Sequence, residues 1–260
     1  MVSFSSYLKL LQQPVFLSAS NVWKLCKLPF QTIEQREESH PVVEYIYTSL
    51  KEGDIVFDIG TKENYYLYLF RKRLGKSGRI IAFQSRPHVL QQLKHLKKIF
   101  RWKNVEMEPL IFSDISCLST VYNYVNATNN ASLHGAIVVD INNNEDDRVA
   151  NEIRVETLDN YCEENNITPC FLKIDAGGNE LKMLKGAINT LRNYKPKILL
   201  KCDERLAGTQ NVLETFAYLH QLNYRGYFVL DTILIPVTNF DFNIYQNTSN
   251  NFYCNCFMFQ

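Results

Sequence analysis

Two carboxylates flank a double-glycine turn in L-K-I-D-A-G-G-N-E, at Asp175 and Glu180. Ahead of them Phe171–Ile174 is a short apolar run, and behind them Leu181, Leu184, Ala187, Ile188 and Leu191 recur at helical spacing. The pattern is a buried strand, a tight turn and an amphipathic helix. A carboxylate at such a strand end can hold a hydroxyl or take its proton. An Asp at the same place can equally cap the following helix, so both readings of Asp175 stay open; Glu180 is the second candidate. Another stretch, D-I-V-F-D-I-G-T-K-E-N over Asp54–Asn64, is apolar and β-branched until it breaks at Gly60. Glycine bends sharply and lets the backbone come close to a bound group, and the next helix aims its first N–H groups at the same point. Gln84 ends the following apolar run, 24 residues beyond Gly60, where dinucleotide folds keep a ribose-binding carboxylate. An amide accepts a ribose O–H bond without the charge that makes a carboxylate bond strong. One glycine makes a poor phosphate cradle, so a nicotinamide enzyme would need a richer loop.

Other reactive groups are isolated. His40 and His134 stand alone in loops, and a lone histidine of this kind is usually solvated. His88 and His95 share a helix with Lys94, Lys97, Lys98 and Arg101; this basic face reads as a solvated surface, with an anionic substrate or nucleic acid as its alternative partner. No His, Asp and Glu set has metal-ligand spacing, and neither G-x-S-x-G nor a P-loop is present.

The elements that position these residues alternate strand and helix. Expected strands are Asp54–Ile59, Arg79–Phe83, Val105–Phe112, Val121–Val125, Ala136–Ile141, Phe171–Ile174, Lys197–Leu200, Gly226–Leu230 and Asn251–Phe259. Expected helices are Pro41–Leu50, Tyr65–Leu74, one from Val89 to Phe100, a short one ending at Asn166, one from Leu181 to Leu191, and Gln210–Leu222. Such alternation gives a mostly parallel sheet with helices on both faces. The 260 residues, 46% hydrophobic, suffice for one large α/β domain at 41–260 preceded by a helical extension at 1–40. Within that extension Phe4, Tyr7, Leu8 and Leu11 form a stripe, and Lys9, Lys24 and Lys27 are its charges. It reads as a capping or lid-like helix pair, with a membrane-touching segment as the alternative. The formal net charge of +1 does not suggest nucleic acid as a partner. Seven scattered cysteines suit reduced thiols and a cytoplasmic setting. No apolar run reaches the roughly 20 residues of a membrane span, no secretory signal is evident, and the sequons at Asn126, Asn130 and Asn247 read as Asn-rich loops.

Taken in order, D-I-V-F-D-I-G, I-A-F-Q-S-R-P, V-E-T-L-D-N-Y, L-K-I-D-A-G-G-N-E-L-K-M-L-K-G-A and K-P-K-I-L-L-K-C-D-E resemble the FkbM family of S-adenosylmethionine-dependent methyltransferases. The resemblance runs from about Pro41 to the C-terminus. It implies a class I methyltransferase (Rossmann-like) fold with a seven-stranded sheet whose last strand is antiparallel. It implies S-adenosylmethionine as cofactor and methyl transfer to a hydroxyl of a small-molecule, sugar or glycan acceptor. On this resemblance Asp58, Gly60, Thr61 and Asn64 belong to the cofactor loop, and Gln84 and Ser85 to the ribose side. Pro87 starts the next helix, and Lys173, Asp175, Gly178 and Glu180 match the motif K-I-D-x-E-G-x-E. Leu184, Lys185 and Gly186 match the segment after it. Asp175 is then the candidate for positioning or deprotonating the acceptor, with Glu180 second.

Five changes, at six positions, depart from the family pattern. Asn64 stands for a second loop glycine, and Lys62 and Glu63 bring charge into a loop that is usually small. Gln84 stands for the ribose-binding Glu, Gly177 for the first Glu of the D-x-E-G motif, and Lys201 for a Glu at the end of the next strand. Two readings follow: an O-methyltransferase, or a methyltransferase-fold binding or scaffold protein that does not catalyse.

Overall fold

The computed structural model describes residues 41–61, 64–124, 148–230, 232–247 and 253–260. The expected extension at 1–40, the strand expected at Ala136–Ile141, His40, His134, Lys62 and Glu63 lie outside these residues. Helix α1 (Pro41–Ser49) leads into β1 (Ile55–Ile59), α2 (Asn64–Leu74), β2 (Arg79–Phe83), α3 (Pro87–Ile99) and β3 (Val105–Glu108). Three strands, β4 (Leu110–Phe112), β5 (Cys117–Tyr124) and β6 (Arg148–Glu156), precede α4 (Leu158–Asn165) and β7 (Phe171–Ile174). Then come α5 (Glu180–Lys185), α6 (Ile188–Asn193), β8 (Lys197–Lys201), α7 (Glu204–Ala207) and α8 (Thr209–Gln221). The chain closes with β9 (Gly226–Leu230), β10 (Ile233–Pro236), a 3-10 turn at Val237–Asn239, α9 (Phe242–Tyr245) and β11 (Cys256–Phe259).

The main sheet has eight strands, in the order β10-β9-β11-β8-β7-β1-β2-β3. This corrects the expected seven: Ile233–Pro236 returns antiparallel along β9 and adds an edge strand. Strands β3, β2, β1, β7 and β8 are mutually parallel, and β11 lies antiparallel between β8 and β9. A separate sheet, β4-β6-β5, follows β3. The single strand expected over Val105–Phe112 is thus two strands. Pro109 has no N–H for the ladder, and the chain leaves the main sheet there.

Side chains alternate between two cores, one on each face. Phe57, Ile59, Ile81, Phe83, Leu172, Ile174, Ile198 and Leu200 belong to one. Val56, Ile80, Ala82, Phe171, Leu199 and Met258 belong to the other, with Leu67, Phe70 and Leu74 of α2 and Val89 and Leu93 of α3. Burial on both faces explains why these strands read as continuous apolar runs. Helix α1 is tied across the fold by the Tyr45 hydroxyl, which donates to the Phe259 carbonyl at 2.6 Å.

The helix expected from Leu181 to Leu191 is broken into α5 and α6. A Cβ at Gly186 would lie 2.0 Å from the Ser113 carbonyl oxygen, so the second sheet presses its end into this break. Helix α4 follows the local rules closely. The Thr157 hydroxyl accepts the Asn160 N–H at its start, and Asn166 ends it in the left-handed region at φ 51°. Among the described residues no helix is long and apolar enough to cross a membrane.

Candidate active site

Register brings the site together. Ile59 lies opposite Phe83 on one side and Ile174 on the other, and Ile174 lies opposite Leu200. The next residues of these four strands are Gln84, Gly60, Asp175 and Lys201, which form a row along one edge of the sheet. Strand order reverses between β1 and β7, and ligands of open α/β sheets bind beyond the carboxyl ends of the strands at such a switch point.

A crevice lies there, lined by Gly60, Gln84, Ser85, Arg86, Ser113, Asp175 and Asn179, among others. Its described walls enclose about 60 Å³. Beside it a polar cavity of about 210 Å³ is lined by Asp175, Glu180, Lys201, Asp203, Arg205, Leu206 and Asn255. Asp175 lines both.

Gly60 is required for a reason different from close approach to a ligand. At φ +74° it lies so near the next loop that a Cβ would sit 1.9 Å from the Asp175 carbonyl oxygen. The Asp175 N–H donates to the Ile59 carbonyl at 3.0 Å, sealing the same junction. Asp58 and Thr61 lie behind the crevice. The Thr61 hydroxyl donates to the Asp58 carbonyl at 2.8 Å. The Asp58 carboxylate is fully buried beneath α2, with Lys173 Nζ 3.1 Å from its Oδ1. Burial pushes the Asp58 carboxyl up, and Lys173 opposes that shift. For Lys173, burial lowers the pKa, but Asp58 and then Asp175 more than offset it, so the ammonium is held charged. The Lys173 ammonium also lies over the Tyr66 ring, 5.5 Å from its centroid. Helix α2 begins at Asn64, whose side chain is outside the described set.

Gln84 faces the crevice, yet both ends of its amide are engaged. Its Nε2 donates to the Thr61 carbonyl at 2.6 Å, and its Oε1 accepts the Arg86 N–H at 2.9 Å. The side chain therefore straps the β1 loop to the β2 loop. A Glu there would set a carboxylate oxygen against the Thr61 carbonyl. Gln84→Glu is expected to cost about 1–3 kcal/mol, read as a shift in the urea midpoint; an unchanged midpoint would count against the strap.

Asp175 is not a helix cap. The N-cap of α5 is Asn179, without a side-chain cap bond. The Asp175 carboxylate instead pairs with Lys201, Nζ to Oδ2 at 3.4 Å. Glu180 turns back on the glycine turn, its Oε1 accepting the Gly178 N–H at 3.0 Å, with the Cys202 thiol 3.9 Å from its Oε2. Burial pushes the Glu180 carboxyl up, against that N–H bond. Asp203 shifts the other way. Burial opposes its ionisation, but the Arg205 guanidinium and the Tyr253 hydroxyl, donating at 2.6–2.9 Å, hold it well below the usual carboxylate range. Carboxyls with opposed shifts share one cavity, a pattern associated with acid–base sites. In Arg86, burial pushes the guanidinium down, and the Asp175 carboxylate opposes the shift.

Sequence reasoning did not single out Arg86, Asn179, Asp203, Arg205 or Asn255. The available signal was K-C-D-E-R directly after a buried strand: charge at the carboxyl end of a parallel strand faces the ligand edge. Among the described residues no cluster of His, Cys, Asp and Glu could hold a metal ion.

The place of this crevice, and part of its lining, match what S-adenosylmethionine would need, whereas its volume of about 60 Å³ is small for that molecule. The crevice lies at the switch point and has a glycine wall at Gly60 and a hydroxyl-bearing residue at Ser85 beside the strapped Gln84.

Residues 53–226 match the family described as the Methyltransferase FkbM domain. No curated protein matches the chain. Among solved structures, a methyltransferase FkbM from Methylobacillus flagellatus KT superposes with a TM-score of 0.54 at 15% identity, over 81% of this chain and 44% of that one. The chain thus spans less than half of that protein. An S-adenosylmethionine-dependent O-methyltransferase from Thermotoga maritima gives 0.41 at 14% identity, over 84% and 63% of the two chains. Aeropyrum pernix fibrillarin, solved with natively bound S-adenosylmethionine, gives 0.43 at 10%, over 80% and 66%. The first superposition supports the class I methyltransferase fold. With two-thirds of its length inside the family match, the chain belongs to the FkbM family of S-adenosylmethionine-dependent methyltransferases.

Proposed function

We propose that this protein transfers a methyl group from S-adenosylmethionine to a hydroxyl oxygen of a sugar-like or glycan acceptor. The observation that carries this reading is the position of Asp175, which lines both the crevice over Gly60 and the neighbouring polar cavity. Bound S-adenosylmethionine supplies an electrophilic methyl on a sulfonium. Gly60, Gln84 and Ser85 would wall the cofactor side. An acceptor hydroxyl in the polar cavity would reach Asp175, which orients it and takes its proton as the oxygen attacks. Lys201, 3.4 Å from Asp175, balances that carboxylate without burying it unpaired. Asp203, Arg205 and Asn255 offer the mixture of donors and acceptors that a polyhydroxylated ligand needs. Glu180 holds the Gly177–Gly178 turn beneath the reacting groups.

The test is incubation of the full chain with S-adenosylmethionine and a panel of sugars, glycans and non-sugar alcohols, read by mass spectrometry. Formation of S-adenosylhomocysteine together with a methyl ether on a sugar is the expected result. Methylation confined to nitrogen or carbon acceptors would sink the oxygen assignment. A second reading, a binding protein that does not catalyse, is favoured by the engaged amide of Gln84 and by the small volume of the crevice. Calorimetry separates the two: a folded chain that takes up neither S-adenosylmethionine nor S-adenosylhomocysteine is the binding protein.

A further inference from the structure

Residues 64–105 contain eleven Lys and Arg and no Asp or Glu. The rest of the chain has seventeen Lys and Arg against twenty-seven Asp and Glu. A net charge near zero therefore hides a marked segregation. The acid-free stretch is α2, β2 and α3, and both helices pack on the same core. They run back from the crevice, so their C-terminal ends meet at the opposite end of the sheet. Contacts confirm the junction: Arg71 Nε donates to Asn104 Oδ1 at 3.2 Å, and its guanidinium lies 5.5 Å from the Trp102 ring centroid. Lys72, Lys76, Lys94, Lys98, Arg101 and Lys103 are exposed around it. Phe100, 36% exposed, stacks on buried Trp102 with ring centroids 5.4 Å apart. Glu106, just beyond the stretch, is taken by Arg79, and Glu52 lies at the margin against Gly75.

We propose that this end of the α2–α3 layer docks on an anionic lipid surface. Basic residues in the last turn complement a helix dipole, but that accounts for one or two charges per helix and not for the absence of every acid across both. The choice of lipid over nucleic acid rests on which kind of cation faces outward. Three guanidiniums, the groups that read phosphates and bases bidentately, are engaged within the protein: Arg71 with Asn104, Arg73 with the Tyr47 carbonyl, Arg79 with Glu106. The outward charge is mainly lysine ammonium, suited to diffuse attraction to a charged surface, and it surrounds an exposed aromatic ring able to enter the interface. Docked this way, the crevice at the far end of the strands stays open to acceptor.

The test is co-sedimentation of the full chain with phosphatidylcholine vesicles, with and without about a third of phosphatidylserine. Binding is expected only with phosphatidylserine, and it should fall as salt rises. Changing Lys94, Lys98 and Lys103 together to Gln should weaken it roughly 100-fold, and Phe100→Ala about tenfold. Lys182→Gln with Arg192→Gln, which removes charge from α5 and α6, should change it less than about twofold. Equal binding to neutral vesicles, or an unchanged triple variant that unfolds at the wild-type temperature, overturns the proposal. So does single-stranded RNA that binds this face while the vesicles do not compete for it.

Discussion

Asp175→Asn is expected to lower methyl transfer by about 10²–10⁴-fold while leaving uptake of S-adenosylhomocysteine within about threefold of wild type. The substitution keeps the side chain's size and leaves the backbone bond from the Asp175 N–H to the Ile59 carbonyl in place. It removes the one carboxylate that lines both the crevice and the polar cavity. Stopped-quench measurement of a single turnover, with calorimetry alongside, separates chemistry from binding. A positioning role without proton transfer would leave the pH dependence of turnover intact, whereas a general base loses the limb set by its own ionisation. Equal losses of binding and turnover would mean that Asp175 shapes the crevice and does not serve the reaction. Its ion pair with Lys201 complicates the reading, because Asn leaves the ammonium without a counter-charge. Asp175→Asn combined with Lys201→Met resolves that: a catalytic Asp175 stays lost in the double variant.

The second large effect is on stability. Lys173→Met is expected to destabilise the fold by about 3–5 kcal/mol, because it strands the Asp58 carboxylate in a dry position. Asp58 is fully buried, and neither of its carboxylate oxygens has a hydrogen bond of good geometry beyond the ammonium 3.1 Å away. Replacing both partners, Lys173→Met with Asp58→Leu, should recover much of the loss, as apolar substitution of a buried pair often does. Guanidinium unfolding at neutral pH gives both numbers. A single-variant loss under about 1 kcal/mol would mean that water reaches Asp58.

The strands that met the sequence reading most closely were those closed by hard punctuation. Arg79–Phe83, Phe171–Ile174 and Gly226–Leu230 are short apolar runs bounded by glycine, proline or a polar turn, and they are strands over the expected residues. Where tertiary contact overrides a local pattern, the reading failed. Nothing in the apolar spacing from Leu181 to Leu191 reports that a carbonyl from Ser113 will occupy the space above Gly186. Pro109 was a visible break, but a break does not say that the chain changes sheets. The edge strand Ile233–Pro236 is short, exposed and ends in proline, so it lacks the burial signature that marked the others. The placement of Asp175 and Glu180 beside the strand-end cavity was legible because a strand, a glycine turn and a helix flank them. The engagement of Gln84 was not legible, because its partners are a main-chain carbonyl and a main-chain N–H whose positions depend on how two loops meet.

The contact between Gly60 and the Asp175 carbonyl fixes how the β1 and β7 loops meet. The loop that the proposed function gives to the donor and the loop it gives to the acceptor touch through main chain, with no space for even a methyl group between them. Their separation is therefore set by main chain and not by Asp203, Arg205, Leu206 or Asn255. On the proposed function, Asp203, Arg205, Leu206 and Asn255 would be exchangeable to suit a new acceptor without moving the point of transfer. On that reading specificity is the adjustable part of the site, and the alignment of its two ligands is the fixed part.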